Sequence, residues 1–129
     1  MATKIENAKI TGTTLGIEGH GIFTAYIHLE GDGWGVSFGG YAFDYWSEAD
    51  KRRVGASYGM EFIRRLMNTV GVESWEKLPG AFVRVDSEGW GGKAKRIGHI
   101  TKAQWFDPEA LFAEMRAADA ALRGSQEQP

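Results

Sequence analysis

Residues 22–30 alternate cleanly: Phe23, Ala25, Ile27 and Leu29 point one way, and Thr24, Tyr26, His28 and Glu30 point the other. A period of two over that length is the pattern of a half-buried strand. Gly31-Asp32-Gly33 then supplies residues that tolerate positive φ, as a tight hairpin requires. In the next run Trp34, Val36 and Phe38 share one face, yet after Gly39-Gly40 the large residues fall on Tyr41, Phe43 and Tyr45. A strand changes phase only by gaining a residue or by ending, so a bulge or sharp bend is predicted at Gly39-Gly40. Upstream, residues 4–17 read as one or two strands broken near Gly12, with Gly19-His20-Gly21 as the connecting turn.

After Trp46 the pattern changes. Ser47-Glu48-Ala49-Asp50 reads as a short helical turn, followed by Lys51-Arg52-Arg53. Residues 57–70 carry Phe62, Ile63, Leu66, Met67 and Val70 at helical spacing, with Ser57 as N-cap, Gly71 just past the end and Glu61 four residues before Arg65. Residues 74–78 form one helical turn stopped by Pro79-Gly80. Residues 81–85 and about 93–101 read as a second hairpin with a long loop through Gly89-Trp90-Gly91-Gly92. Period two sets Lys93 and Lys95 on the face of Ile97 and His99, and Arg96 on that of Ala94. Asp107-Pro108 opens the last helix, with Leu111, Phe112, Met115, Ala118 and Leu122 inward and Gly124 at its end. The expected fold is α+β: a twisted antiparallel sheet of about five to six strands with two packed helices, about 57–70 and 108–123. Residues 1–124 are expected to form a single domain, and 125–129 a disordered tail.

Composition narrows the function classes. Of 129 residues, 15 are Lys or Arg, 17 are Asp or Glu and none is Cys, for a formal net charge of −2. That balance argues against broad nucleic-acid binding, which needs a surplus of basic residues. The absence of Cys excludes disulfides, thiolate metal sites and a cysteine nucleophile. No apolar run approaches the ~18 residues of a membrane span, and the first ten residues lack the apolar segment of a secretory signal, so a cytoplasmic protein is expected. Glycine is abundant, at 18 residues, and there are five Trp. Glycine this dense, with only three Pro, suits strands joined by tight turns. The tryptophans either serve a surface that meets a ligand or partner, or form an aromatic core beneath glycine-rich turns.

Motifs for chemistry are sparse. Gly91-Gly92-Lys93-Ala94 lacks the hydroxyl of a phosphate loop and precedes a strand, while Gly31, Gly33 and Gly35 sit in a hairpin instead of opening a βαβ unit. His20, His28 and His99 have no metal-ligand spacing. Ser57, His99 and Asp44 make a nucleophilic trio only on paper, and no acid is singled out for glycoside chemistry. No catalytic residue, metal or cofactor is therefore expected. Binding groups are better represented. Arg52 and Arg53 precede the helix that begins at Ser57, where unpaired N–H groups favour an anion. Trp34, Tyr41, Tyr45 and Trp46 lie near those arginines in sequence and supply stacking surfaces if the bend gathers them. A second group, Trp90, Arg96 and His99, belongs to the later hairpin. The bland readings are a solvated charged turn, an aromatic core or a dimer contact.

The segments GIEGHGIFT, FGGYAFD, SYGMEFIRRLMNTVGVESWEKLPG and IGHITKAQWFDP together resemble a small protein family encoded in tailed phages and prophages, over about residues 4–112. The family has no assigned activity. The resemblance implies a phage accessory protein in a bacterial cytoplasm, and by analogy an anti-defence role. Three classes follow. The chain sequesters a small phosphorylated or nucleotide-like ligand, or it inhibits a host defence protein such as a CRISPR or other immune complex, or, third, it is a small enzyme acting on nucleotides. A homodimer is expected, because a small domain rich in exposed aromatics buries them by self-association.

Overall fold

The computed structural model describes the backbone of residues 4–87 and 94–127, and the side chains of 5–87 and 94–118. The strands are β1 (Lys4–Ile17), β2 (Phe23–Gly31), β3 (Trp34–Gly39), β4 (Asp44–Ser47), β5 (Arg52–Gly55), β6 (Phe82–Ser87), β7 (Ala94–His99) and β8 (Trp105–Phe106). The helices are α1 (Ser57–Val70) and α2 (Pro108–Glu127), with a 3₁₀ turn at Trp75–Lys77. Six strands form one sheet in the order β3-β2-β1-β6-β7-β8, every neighbouring pair antiparallel, and β4 and β5 form a separate two-stranded ribbon. The architecture is α+β, as the alternation predicted.

One face of the sheet carries the core. Ala8 and Ile10 of β1, Ala25, Ile27 and Leu29 of β2, Phe38 of β3, Val83 and Val85 of β6, Ile97 of β7 and Phe106 of β8 are buried beneath Phe62 and Leu66 of α1 and Leu111 of α2. Aromatic rings fill its centre. Phe62 lies with its centroid 5.0 Å from Phe106, 5.1 Å from Phe43 and 5.9 Å from Phe38. The bend after β3 is present: Gly39 and Gly40 have φ of 116° and 85°, which only glycine adopts without strain. It turns the chain so that Phe43 reaches the core, where its N–H bonds to the Phe23 carbonyl and its own carbonyl accepts from Ala56.

Several local expectations need correction. β1 is one continuous strand, and its break near Gly12 is a bulge at Thr11. Phe23 and Thr24 keep opposite faces of β2, with the Phe23 ring 6.4 Å from that of Phe43, but Thr24 is buried as well, because the chain after the bend lies beside β2 and the Thr24 hydroxyl donates to the Tyr41 carbonyl at 2.6 Å. Residues 47–51 do make a single capped turn, with the Lys51 N–H on the Ser47 carbonyl and the Asp50 N–H on the Ser47 hydroxyl at 3.1 Å, but it goes no further and serves as the loop of the β4–β5 hairpin, with Lys51 at φ 54°. Ser57 is not the N-cap: Ala56, extended and tied to Phe43, takes that position, and no side chain caps the helix. Lys95 is an extra residue in β7, so Ala94 and Ile97 both face the core and Lys95 does not share their face by simple alternation. Ala118 is exposed, and α2 runs past Gly124 to Glu127. Asp107 does cap α2, its Oδ1 accepting from the N–H of Glu109 at 3.0 Å.

Candidate functional site

Both helices pack on the core face; on the opposite face Asn7, Lys9 and Phe82 are exposed, whereas Thr24 and Asp86 are covered. The register assigns the residues of that face. Arg84, Gly98 and Trp105 form one row across β6, β7 and β8, Asp86 and Arg96 form the next, and Phe82 faces Lys9 beyond Arg84. Gly98 has no side chain, and the Trp105 indole folds back over it: a Cβ at that position would lie 2.8 Å from indole Cδ2. The indole is thereby brought to two arginines, with the guanidinium carbon of Arg84 at 4.8 Å and that of Arg96 at 4.7 Å from its centroid. Cation–π attraction of this kind contributes about 0.5–1 kcal/mol per pair at exposed sites.

Each guanidinium is anchored, but in a different way. Arg96 pairs with Asp86, Nε and Nη2 lying 2.7 and 2.6 Å from Oδ2. Asp86 is only 1% exposed, and its Oδ1 has no hydrogen-bond partner among the described residues. Arg84 instead donates from Nε to the His99 carbonyl at 2.7 Å and from Nη2 to the Lys102 carbonyl. Its partners among the described residues are neutral carbonyls, and none of them is a carboxylate of the kind that offsets Arg96. An arginine has five N–H donors, so two bonds fix the plane of Arg84 without exhausting it. A held guanidinium beside an indole is able to stack a flat ring and attract an anion together.

The residues singled out from the sequence do not converge on one place. Tyr45, Trp46 and Arg52 lie exposed on the β4–β5 ribbon, Tyr45 at 55% and Trp46 at 52%. Arg53, on the same ribbon opposite Trp46, is committed to Asp44 at 2.8 Å. That bond holds the Asp44 carboxyl below the usual carboxylate range. Tyr41 belongs to the core, 5.9 Å from Phe62 and 5.0 Å from Phe112, and burial raises its phenol above the ordinary value. Trp34 lies at the far end of the sheet, its indole across Gly31, beside a recess of about 580 Å³ shared with His28 and Ser37. Ser57 is exposed at the start of α1. Trp90 lies outside the described residues. His99 is a loop anchor, its Nδ1 accepting the N–H of Thr101 at 3.1 Å and of Lys102 at 3.0 Å. Of the nominated residues that are described, Arg96 brings its side chain to the indole cluster and His99 its carbonyl, to Arg84. Reasoning from sequence passed over Arg84, Asp86 and Trp105. The alternation of 82–86 would have put Phe82, Arg84 and Asp86 on one face, whereas nothing in the pattern marks the two-residue strand that holds Trp105.

Fold and site together define an α+β protein whose antiparallel sheet bears an arginine-flanked tryptophan on its helix-free face. Comparison with known proteins finds no matching family model, no similar curated protein and no similar solved structure. Among the described residues, no three His, Asp or Glu side chains gather as a metal site would require.

Proposed function

We propose that the protein is a binding protein that sequesters a small, planar, anionic molecule of nucleotide type on the helix-free sheet face, without chemistry. The observation that carries this reading is the anchored Arg84–Trp105–Arg96 cluster: an aromatic plane for the base and, in Arg84, a positive charge held ready for phosphate. In the bacterial cytoplasm that the phage resemblance implies, such a protein would act by withdrawing its ligand from a host pathway. The test is titration of the full chain with a panel of nucleoside mono-, di- and cyclic phosphates, read by calorimetry. At least one is expected to bind, and Trp105→Leu should weaken it by about tenfold or more, the range of an aromatic stacking contact. If no member binds at millimolar concentration, or if Trp105→Leu binds as the wild type does, the reading is wrong.

A second reading rests on the β4–β5 ribbon. It is a two-stranded element with Trp46 exposed on one face and Tyr45 on the other, beside Arg52, the residue types that dominate binding energy at protein interfaces. On this reading the ribbon inserts into a groove of a host defence protein that offers a carboxylate to Arg52. A purified target should lose affinity with Trp46→Ala and with Arg52→Glu while both variants melt like the wild type. Retained affinity in both variants would remove the ribbon from the interface.

A further inference from the structure

We infer that the binding surface continues from Trp105 across Arg84 to Phe82 and Lys9, and that its ligand is therefore a single-stranded dinucleotide or longer oligonucleotide. This rests on the reading of Trp105 and Arg84 as a nucleotide site. Phe82 is a large aromatic residue, 58% exposed, at the first position of β6, an interior strand of the sheet, where it is paired with Lys9 of β1. It occupies the same face as Arg84, two residues along the strand, with Lys9 directly opposite on β1 and Asn7 opposite Arg84. Strands stand about 4.8 Å apart and residues rise about 3.3 Å each. The Trp105 ring, folded over Gly98, is one strand and two residues from Phe82, a separation of roughly 8 Å on those spacings. One sugar–phosphate linkage spans that distance when its bases are splayed. Arg84 lies between the two rings, where the linking phosphate would run, and Lys9 lies past Phe82, where the next would be.

Two aromatic rings on one face of a sheet, with a cation between and beyond them, suit unpaired bases, whose faces are free to stack. A duplex hides those faces. The overall charge of −2 is consistent with this reading because few phosphates are involved. Arg96 is offset by Asp86 and Lys9 stands opposite Glu30 as well as Phe82, so among the described residues Arg84 carries the main charge, and the logarithm of the affinity should fall against the logarithm of salt concentration with a slope between about −0.7 and −1.4, about 0.7 for each of one or two phosphates.

The experiment is fluorescence anisotropy on the full chain, using labelled mononucleotide, dinucleotide and tetranucleotide as DNA and as RNA, with a duplex for comparison. The dinucleotide is expected to bind about tenfold or more tightly than the mononucleotide. Phe82→Ala should return it to the mononucleotide level, leave the mononucleotide itself unchanged and leave the melting temperature unchanged. Phe82→Tyr, which keeps a stacking ring, should restore the gain. If mononucleotide binds and the dinucleotide binds no better, or if Phe82→Ala changes neither, the extension is overturned while the nucleotide reading of Trp105 stands. If neither ligand binds, both fail. Binding of the duplex as tightly as the single strand, or a slope several times steeper, would also overturn the stacking account.

Discussion

Replacing Gly39 by alanine tests the bend on which the second half of the fold depends. Gly39 sits at φ 116°, and a Cβ there would lie 2.3 Å from the Ala25 carbonyl oxygen and 3.2 Å from Tyr26 Cα. Both neighbours are backbone of β2, a strand paired on both sides, so neither is free to yield. The positive φ alone costs an L-residue about 1–3 kcal/mol. Relieving the contact must also displace the Gly40 N–H from the Ala25 carbonyl, at present 2.8 Å away, for about another 1 kcal/mol. Against this, alanine restricts the unfolded chain and returns about 0.4–1 kcal/mol. The net loss is about 1–3.6 kcal/mol, which at a urea m-value of about 2 kcal/mol/M lowers the unfolding midpoint by about 0.5–1.8 M. Gly16→Ala is the control. It lies on β1 of the same sheet, has no heavy atom within 4 Å of its added Cβ and no positive φ, so its midpoint should stay level or rise slightly. Urea titration followed by far-ultraviolet circular dichroism measures both. If Gly39→Ala unfolds at the same midpoint as Gly16→Ala, the bend does not need glycine and the reasoning fails.

Arg96→Gln leaves the buried Asp86 carboxylate without its cation, for a loss of about 2–4 kcal/mol given that Arg96 is itself partly solvated; adding Asp86→Asn should recover about 1 kcal/mol or more in thermal melts, and simple additivity would show the pair to be uncoupled. Gly31→Ala drives a Cβ to 2.1 Å from the Trp34 indole, so it should cost about 1 kcal/mol in the wild type and nothing in a Trp34→Ala background. Asp44 has its pKa lowered in the fold, chiefly by its hydrogen bond from Arg53, so its contribution to stability is complete above the unfolded value of about 3.9 and is lost as the pH falls below it. Asp44→Asn should therefore be less stable than the wild type at neutral pH, and the gap should close on acidification below about pH 4; a constant gap in urea midpoints across that range would exclude the linkage.

How far the fold was legible follows from where burial was one-sided. β2 reads off its alternation because Ala25, Ile27 and Leu29 face the core and Tyr26, His28 and Glu30 do not. α1 reads off its stripe because Phe62 and Leu66 are fully buried and Gly71, at φ 92°, ends it. The misreadings share a different cause, in that a partner distant in sequence decides them. Thr24 is buried by the Tyr41 carbonyl, Ala56 is drawn into the cap position by Phe43, and the phase of β7 depends on a bulge against Asp86 and Ser87. The Ser47-capped turn was legible, but that it closes a hairpin depends on the pairing of Asp44–Ser47 with Arg52–Gly55.

The site was less legible because its chemistry depends on how charges are partnered, which composition averages away. A net charge of −2 suggests no attraction for phosphate, and the run Lys51-Arg52-Arg53 draws attention to arginines away from the indole cluster. In the structure Arg53 is neutralised by Asp44 and Arg96 by Asp86, whereas Arg84, unremarked between two valines, is bonded among the described residues to carbonyls. Trp105 was hidden by length: two residues give no period to read, and its ring is placed by a glycine on the neighbouring strand. The signal that was available is Phe82, Arg84 and Asp86 alternating with Val83 and Val85. It marks a strand with one apolar face in the core and a second face carrying an aromatic, a cation and an acid. On that second face Asp86 is tied to Arg96 and Arg84 to two backbone carbonyls, so the residue the alternation leaves exposed is Phe82.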